Sequence, residues 1–434
     1  MVDPFRRISA KLWEVGQVHR NLVLHDDRTL ENRFGFTWAD EFDGEWELVL
    51  DGKTAQRGQF GVPHIAPLTR EKIDLPMFKL KEGVEAFLDV TFKLKEATLW
   101  AEKGWPVSRN QLRLSPKAAP RAALYGSRIK ATSSADGRHT EVVAGSTKAV
   151  FSAETGTLCE LVMHGRTILR DAARGVASGP RLTCERAFVD NDKWVSGGAR
   201  LDAPGSFVMS GLSQLRYHVR PIKVDEENGT VTVCTEVTGS KSAGFTHEAV
   251  WTFAADGGIS VANTVVPHGT MPKALPRIGL SLRLDPSLEN VSWYGRGPVE
   301  NYIDRCSGSF FGEYRSTVDG MYEPYVRPQD CSYRCDVRWV SFTDDSGEGV
   351  RFEASEPMFV QALHYGLDDL QFARHQSGER RAFHALERRA DVRLNLDIRQ
   401  LGLGGASCGP KPMEKYIFPI ETWRWTLFID AVRR

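Results

Sequence analysis

Hydrophobic and polar positions alternate along much of the chain. Trp46, Leu48 and Leu50 interleave with Glu45, Glu47 and Val49, and Leu88, Val90, Phe92 and Leu94 interleave with Phe87, Asp89, Thr91 and Lys93. A period of two residues predicts strands with one face buried. Asp51-Gly52 directly follows the first run and predicts a two-residue type I′ hairpin. Further strands are predicted over Ala149–Ser152, Val231–Val237, Ile259–Val265, Ile278–Leu284, Val337–Phe342, Val350–Ala354, Val392–Ile398 and Trp423–Ile429. Asp256-Gly257-Gly258 and Asp344-Asp345-Ser346-Gly347 supply turns between them. The best helical signal is Ile8 to Val18, with Ile8, Leu12 and Val15 at i, i+4 and i+7. A helix this short needs something to pack against.

Trp293 to Trp339 has neither period. Trp293, Tyr294, Tyr302, Phe310, Phe311, Tyr314, Tyr322, Tyr325, Tyr333 and Trp339 are threaded there among Gly, Pro, Asp and Arg. Such a mixture suits a long ordered loop that buries rings and leaves their polar edges wet. The 434 residues suffice for two or three domains with sizeable cores. Pro116 to about Thr140 is rich in Ala, Pro, Arg and Ser and reads as a linker.

Charge removes several classes of function. Lys plus Arg equal Asp plus Glu at 56 each, so no basic stripe invites nucleic acid. No apolar run has the length of a membrane helix, and MVDPFRRISAKLWEV lacks the apolar core of a secretory signal. The seven cysteines are scattered, and Cys331 and Cys335 have no second pair with which to hold zinc. A cytoplasmic protein with unpaired thiols is expected. No His, Asp and Glu residues cluster at metal-ligand spacing, so no metal ligands are assigned.

Gly295-Arg296-Gly297-Pro298, Glu300-Asn301-Tyr302, Asp304-Arg305, Tyr325-Val326-Arg327-Pro328-Gln329 and Asp336-Val337-Arg338-Trp339 occur in one order. Together they resemble the last domain of the large bacterial β-galactosidases, which are retaining glycoside hydrolases. Asn32-Arg33-Phe34, Asp40-Glu41-Phe42 and Trp100-Ala101-Glu102 are similar to that family's fourth domain, a spacer. The resemblance implies an all-β protein, with a small immunoglobulin-like β-sandwich followed by a large antiparallel β-supersandwich like that of galactose mutarotase. The boundaries expected are 1–29 for a barrel-tail helix and exit segment, 30–115 for the spacer, 116–141 for the linker and 142–434 for the supersandwich.

Retaining glycosidases use two carboxyl groups about 5 Å apart, as acid/base and nucleophile. In the family both are glutamates of a (β/α)8 barrel, with magnesium nearby, and no stretch here matches their motifs. No catalytic residue and no cofactor is therefore expected in this chain, and magnesium is expected in a partner barrel. Glu300 is read as the partner of Arg296 or Arg305 in a structural ion pair. Asp304 with Arg305, and Asp336 with Arg338, are read alike.

Two segments remain as candidate substrate-binding elements. Gly402 to Pro410 contains glycines that let backbone approach a ligand. The resemblance implies a loop reaching an active-site mouth, its tip carrying Trp or Cys. Here the tip residue is Cys408, with Ser407 beside it as a further substrate-binding candidate, so an aromatic platform for the leaving-group sugar is missing. The plainer alternative is an ordinary turn between strands. Arg186 to Trp194 is similar to the family's Arg-Ala-Pro-x-Asp-Asn-Asp segment, with Phe188 in place of Pro. Asn191 and Asp192 could bond sugar hydroxyls and Trp194 could stack on a ring, or Asp190 and Asn191 could simply cap their own turn.

These features imply a β-galactosidase small subunit or C-terminal portion, completing the active site of a barrel chain that hydrolyses β-galactosides such as lactose with retention. The expected partners are a large chain, a β-galactoside and further copies in an oligomer. The alternatives are a free-standing carbohydrate-binding module and a mutarotase-like epimerase. For the latter His364 is the candidate base, without a matched acidic partner.

Overall fold

A computed structural model describes residues 2, 6–116, 120–171, 177–192, 206–372, 386–405 and 409–433. The chain divides into two compact units. The smaller comprises Met1–Ala119 together with Tyr294–Pro298 and Cys306–Tyr314; the larger takes the remainder.

In the smaller unit a four-stranded antiparallel sheet runs in the order Lys53–Phe60, Phe42–Leu50, Ala86–Leu94, Pro106–Arg113. A three-stranded sheet of Leu22–Leu24, Thr29–Asn32 and Arg70–Lys72 completes a sandwich. Leu22, Leu30, Phe42, Leu88, Val90 and Phe92 are among the side chains of its core. The Asp51-Gly52 turn forms as expected, since both residues have positive φ, 46° and 87°, as a type I′ turn demands. Strict alternation is broken next to it by a register shift between Leu48 and Val49. Val49 rather than Leu50 is buried, in a cluster with Phe87 and Phe311. The Phe87 and Phe311 rings stack at 4.6 Å, and Arg113 lies 4.7 Å over Phe87. One end of this sheet's outer face, at Val49 and Phe87, is thus apolar because a segment from far along the chain covers it.

The helix forms over Ala10–Val18. Polar contacts hold it: Glu14 accepts the N–H groups of Ser307 and Gly308 at 3.0 and 2.8 Å, and Gln17 donates to the Arg109 carbonyl at 3.0 Å. Its apolar stripe stays largely outside, with Ile8 and Val15 exposed.

In the larger unit the described residues form one five-stranded sheet, and a thirteen-stranded sheet belongs mostly to it. All eight strands predicted after residue 142 are present, several of them longer than expected. Trp423–Val432 lies between Gly349–Leu363 and Ile259–His268, whose alternating inward residues explain the regular burial. Phe151 of the five-stranded sheet meets Trp251 edge-to-face at 5.3 Å across the core. Strand Gly349–Leu363 changes neighbour along its length, pairing with Trp423–Val432 through Ala354 and with Val392–Gln400 from Phe359. These two layers are the supersandwich of an all-β chain.

The stretch 116–141, read as a linker, carries strand Lys130–Ser133 and the first residues of His139–Ala144. The two strands pair, and Gly137 at φ 68° makes the turn. Composition hid this hairpin because its side chains are mostly polar and exposed. No helix among the described residues is long and apolar enough to cross a membrane. The six described cysteines are free.

Candidate functional site

The two segments singled out in the sequence meet in the larger unit. Arg186 directs Nη1 to the carbonyl of Leu401 at 2.9 Å, and Asn191 Nδ2 donates to the carbonyl of Gly404 at 2.6 Å. From a third segment, Asp304 accepts the N–H of Leu403 at 2.9 Å and of Gly404 at 2.7 Å. Gly405 donates to the Pro410 carbonyl at 2.9 Å, closing the base of the loop. Gly404 has φ 61°, and a Cβ there would come 2.5 Å from Pro412, so the bend requires glycine. Asp304 therefore serves this loop rather than pairing with Arg305.

Asp192 is 3% exposed and is gripped by Arg186 at 2.5 and 3.2 Å, while Val189 N–H donates to it at 3.0 Å. The carboxylate opposite holds Arg186 charged against the pull of burial. Where direct bonding to sugar hydroxyls was expected of Asp192, its two oxygens are already engaged. Asp190 pairs with Arg327, and Phe188 N–H donates to Gln371 at 2.6 Å. Trp194, Ser407 and Cys408 lie outside the described residues.

Beneath the loop base the aromatic stretch forms a buried polar network. Glu300, 3% exposed, accepts from Arg305, from Tyr325 at 2.5 Å and from the Ser332 N–H. The expected structural ion pair is thus made by Arg305. Arg296 instead donates to the carbonyls of Cys306 and Ser309 at 3.3 and 3.0 Å. Arg338 donates to the backbone carbonyl of Asp336. Tyr302 donates to Asp330 at 2.9 Å, and Gln361 donates to the same carboxylate at 3.2 Å. Burial pushes Asp330 up to about 6 although Arg186 and Arg277 draw it down. Tyr333 bridges Arg277 and Asp397. Aromatic hydroxyls satisfying buried carboxylates is the arrangement a rigid base for a loop requires.

The smaller unit offers a different feature, an open apolar groove of about 610 Å³ lined by Ile8, Leu12, Trp13, Trp105, Pro298 and Phe310. Trp13 is 42% and Trp105 53% exposed. Sequence reasoning found the helix's apolar face but not the side chains that extend it, since residues 105, 298 and 310 carry no shared period.

His364, weighed above as a base, is brought beside Glu289 and Asp319, with candidate donor atoms within 4.8 Å of one another. These positions are far apart in sequence, so no spacing signal could have grouped them.

Comparison with known proteins agrees with this architecture. Residues 144–429 match the family described as beta galactosidase small chain, and residues 29–115 match that described as beta-galactosidase, domain 4. A beta-galactosidase of Priestia megaterium is 26% identical over 87% of this chain, and one of Halalkalibacterium halodurans is 26% identical over 96%. The chain spans only 34% and 40% of those relatives' lengths. A galactose 1-epimerase from Lactobacillus acidophilus superimposes over 71% of this chain and all of its own, at 8% identity and a TM-score of 0.38, too loosely to bear on function. With a single match spanning most of its larger unit, the chain belongs to the β-galactosidase small-chain family.

Proposed function

We propose that this chain is the small subunit or C-terminal portion of a β-galactosidase, completing the active site of a separate or preceding (β/α)8 barrel that hydrolyses terminal β-galactosides, lactose among them, with retention. The observation that carries the reading is the tandem match of spacer and small-chain domains over residues 29–115 and 144–429. The acid/base and nucleophile belong to the barrel, as does the magnesium. The contribution proposed for this chain is the loop Gly402 to Pro410, whose base is held by Asp304, Asn191 and Arg186. Ser407, Cys408 and Trp194 are the side chains proposed to contact the sugar, and Asn191 and, through Arg186, Asp192 hold the base of the loop. Hydrogen bonds at both ends limit the loop's conformational freedom, so less entropy is lost when a sugar binds.

Docking onto the barrel uses the apolar groove of the smaller unit, where tryptophans and proline offer the anchor chemistry of protein interfaces. The assembled enzyme works in the cytoplasm, as an oligomer.

The test is hydrolysis of a chromogenic β-galactoside by the purified chain alone and mixed with a family large chain lacking these domains. Activity confined to the mixture is the expected result. Activity of the chain alone would overturn the assignment of the catalytic carboxyls to the barrel. Silence in both, with sugar still bound, would favour a carbohydrate-binding module.

A further inference from the structure

Glu289 precedes strand Asn290–Gly297, Asp319 lies in the short helix Val318–Met321, and His364 follows strand Gly349–Leu363. His364 Nε2 is 2.8 Å from Glu289 Oε2 and 4.0 Å from Asp319 Oδ1. Donors bound to one tetrahedral cation at about 2.0–2.2 Å stand about 3.4 Å apart, which lies between these two separations.

The imidazole is held in the orientation a metal needs. His364 is 2% exposed, and its Nδ1 lies 3.2 Å from the Asp391 carbonyl. A carbonyl only accepts, so Nδ1 donates to it, and Nε2 is the ring nitrogen turned toward the two carboxylates. A backbone carbonyl behind the ring is the usual support of a metal-bound histidine. Glu289 is fixed too: its Oε1 accepts the Asp319 N–H at 3.2 Å, and its backbone carbonyl accepts the Val318 N–H at 3.0 Å.

Two carboxylates face Nε2 at one point, Glu289 Oε2 at 2.8 Å and Asp319 Oδ1 at 4.0 Å, and their negative charge calls for a positive one. Arg388 supplies one. Its Nε is 3.0 Å from both Asp319 oxygens, and its Nη2 is 2.8 Å from His364 Nε2 and 3.5 Å from Glu289 Oε2. The Arg388 side chain is 45% exposed, so it can turn outward into water.

We propose that Glu289, Asp319 and His364 form a divalent-cation site of the zinc kind, for which the Arg388 side chain is a built-in competitor. One imidazole nitrogen with two carboxylates favours a borderline cation over magnesium or calcium, which prefer oxygen alone. Two positive charges balance the two carboxylates, where Arg388 balances one, and water fills the remaining coordination. The bound cation joins the start of one strand, the end of another and the helix beside them, independently of any role in hydrolysis.

Calorimetric titration of the full chain with zinc chloride tests this, using variants at the more exposed positions so that the buried histidine is untouched. One zinc per chain is expected. Arg388→Ala should bind about tenfold tighter, and Glu289→Gln/Asp319→Asn about a hundredfold weaker, the scale of change that disturbing a metal's surroundings produces. Zinc should raise the melting temperature of the parent and of Arg388→Ala but not of the double variant. Absence of saturable zinc binding, or undiminished binding by the double variant, would overturn the proposal.

Discussion

Asn191 donates its side-chain amide to the carbonyl of Gly404 at 2.6 Å, joining two segments 213 residues apart. The bond leaves the core of the unit untouched, so its loss should separate function from folding. Asn191→Ala is expected to lower kcat/KM of the reconstituted β-galactosidase about tenfold while costing the chain about 1 kcal/mol of stability. Equal losses in both measurements would make Asn191 a purely structural residue.

At the loop tip, Cys408→Trp should strengthen binding of the leaving-group sugar in the assembled enzyme, because an aromatic face offers stacking that a thiol cannot. Inhibition by glucose is the measurement. An inhibition constant unchanged from the parent would remove the tip from the sugar subsite.

Glu300 accepts from Arg305, from the Tyr325 hydroxyl and from the Ser332 N–H inside a buried network. Glu300→Gln leaves the guanidinium without its counter-charge, and a loss of roughly 3 kcal/mol in urea unfolding is expected. A cost near zero would show that water replaces the carboxylate.

Asp89 faces a different balance. Burial pushes its carboxyl up to about 7, with Gln111 donating to it at 2.7 Å. Because the folded value is raised, the stability it contributes is fully present below about pH 4 and is lost as pH rises to about 7. Asp89→Asn should therefore gain roughly 1–3 kcal/mol over the parent at pH 8 and nothing at pH 4. Parallel pH–stability curves for the two proteins would refute the assignment.

Trp13 on the exposed side of the helix supplies a test of docking. Trp13→Glu should weaken association with the large chain by at least about tenfold without unfolding the sandwich, as loss of an interface anchor does. Undiminished association would move the interface elsewhere.

Short-range patterns were legible in the sequence because their causes are local. Alternation gave the strands, Asp51-Gly52 gave its hairpin, and Ile8, Leu12 and Val15 gave the helix and its wet stripe. The polar hairpin around Gly137 escaped because neither of its faces carries a clear apolar signal. Burial of Val49 in place of Leu50 was illegible because Phe311 causes it from more than 200 positions away. The site divides in the same way. Arg186–Trp194 and Gly402–Pro410 were both recognised, but their union through Arg186, Asn191 and Asp304 depends on tertiary contacts. Asp304 was assigned to its sequence neighbour Arg305, the only partner that adjacency suggests, whereas folding presents it with two backbone amides.

The smaller unit includes Tyr294–Pro298 and Cys306–Tyr314. During synthesis residues 1–119 therefore emerge as an unfinished sandwich, with Val49 and Phe87 still lacking Phe311. That patch stays sticky until a further stretch of nearly 200 residues has been translated, a window in which a chaperone or the partner chain would find it. Cutting the chain after the spacer would leave Val49 and Phe87 without that cover for good.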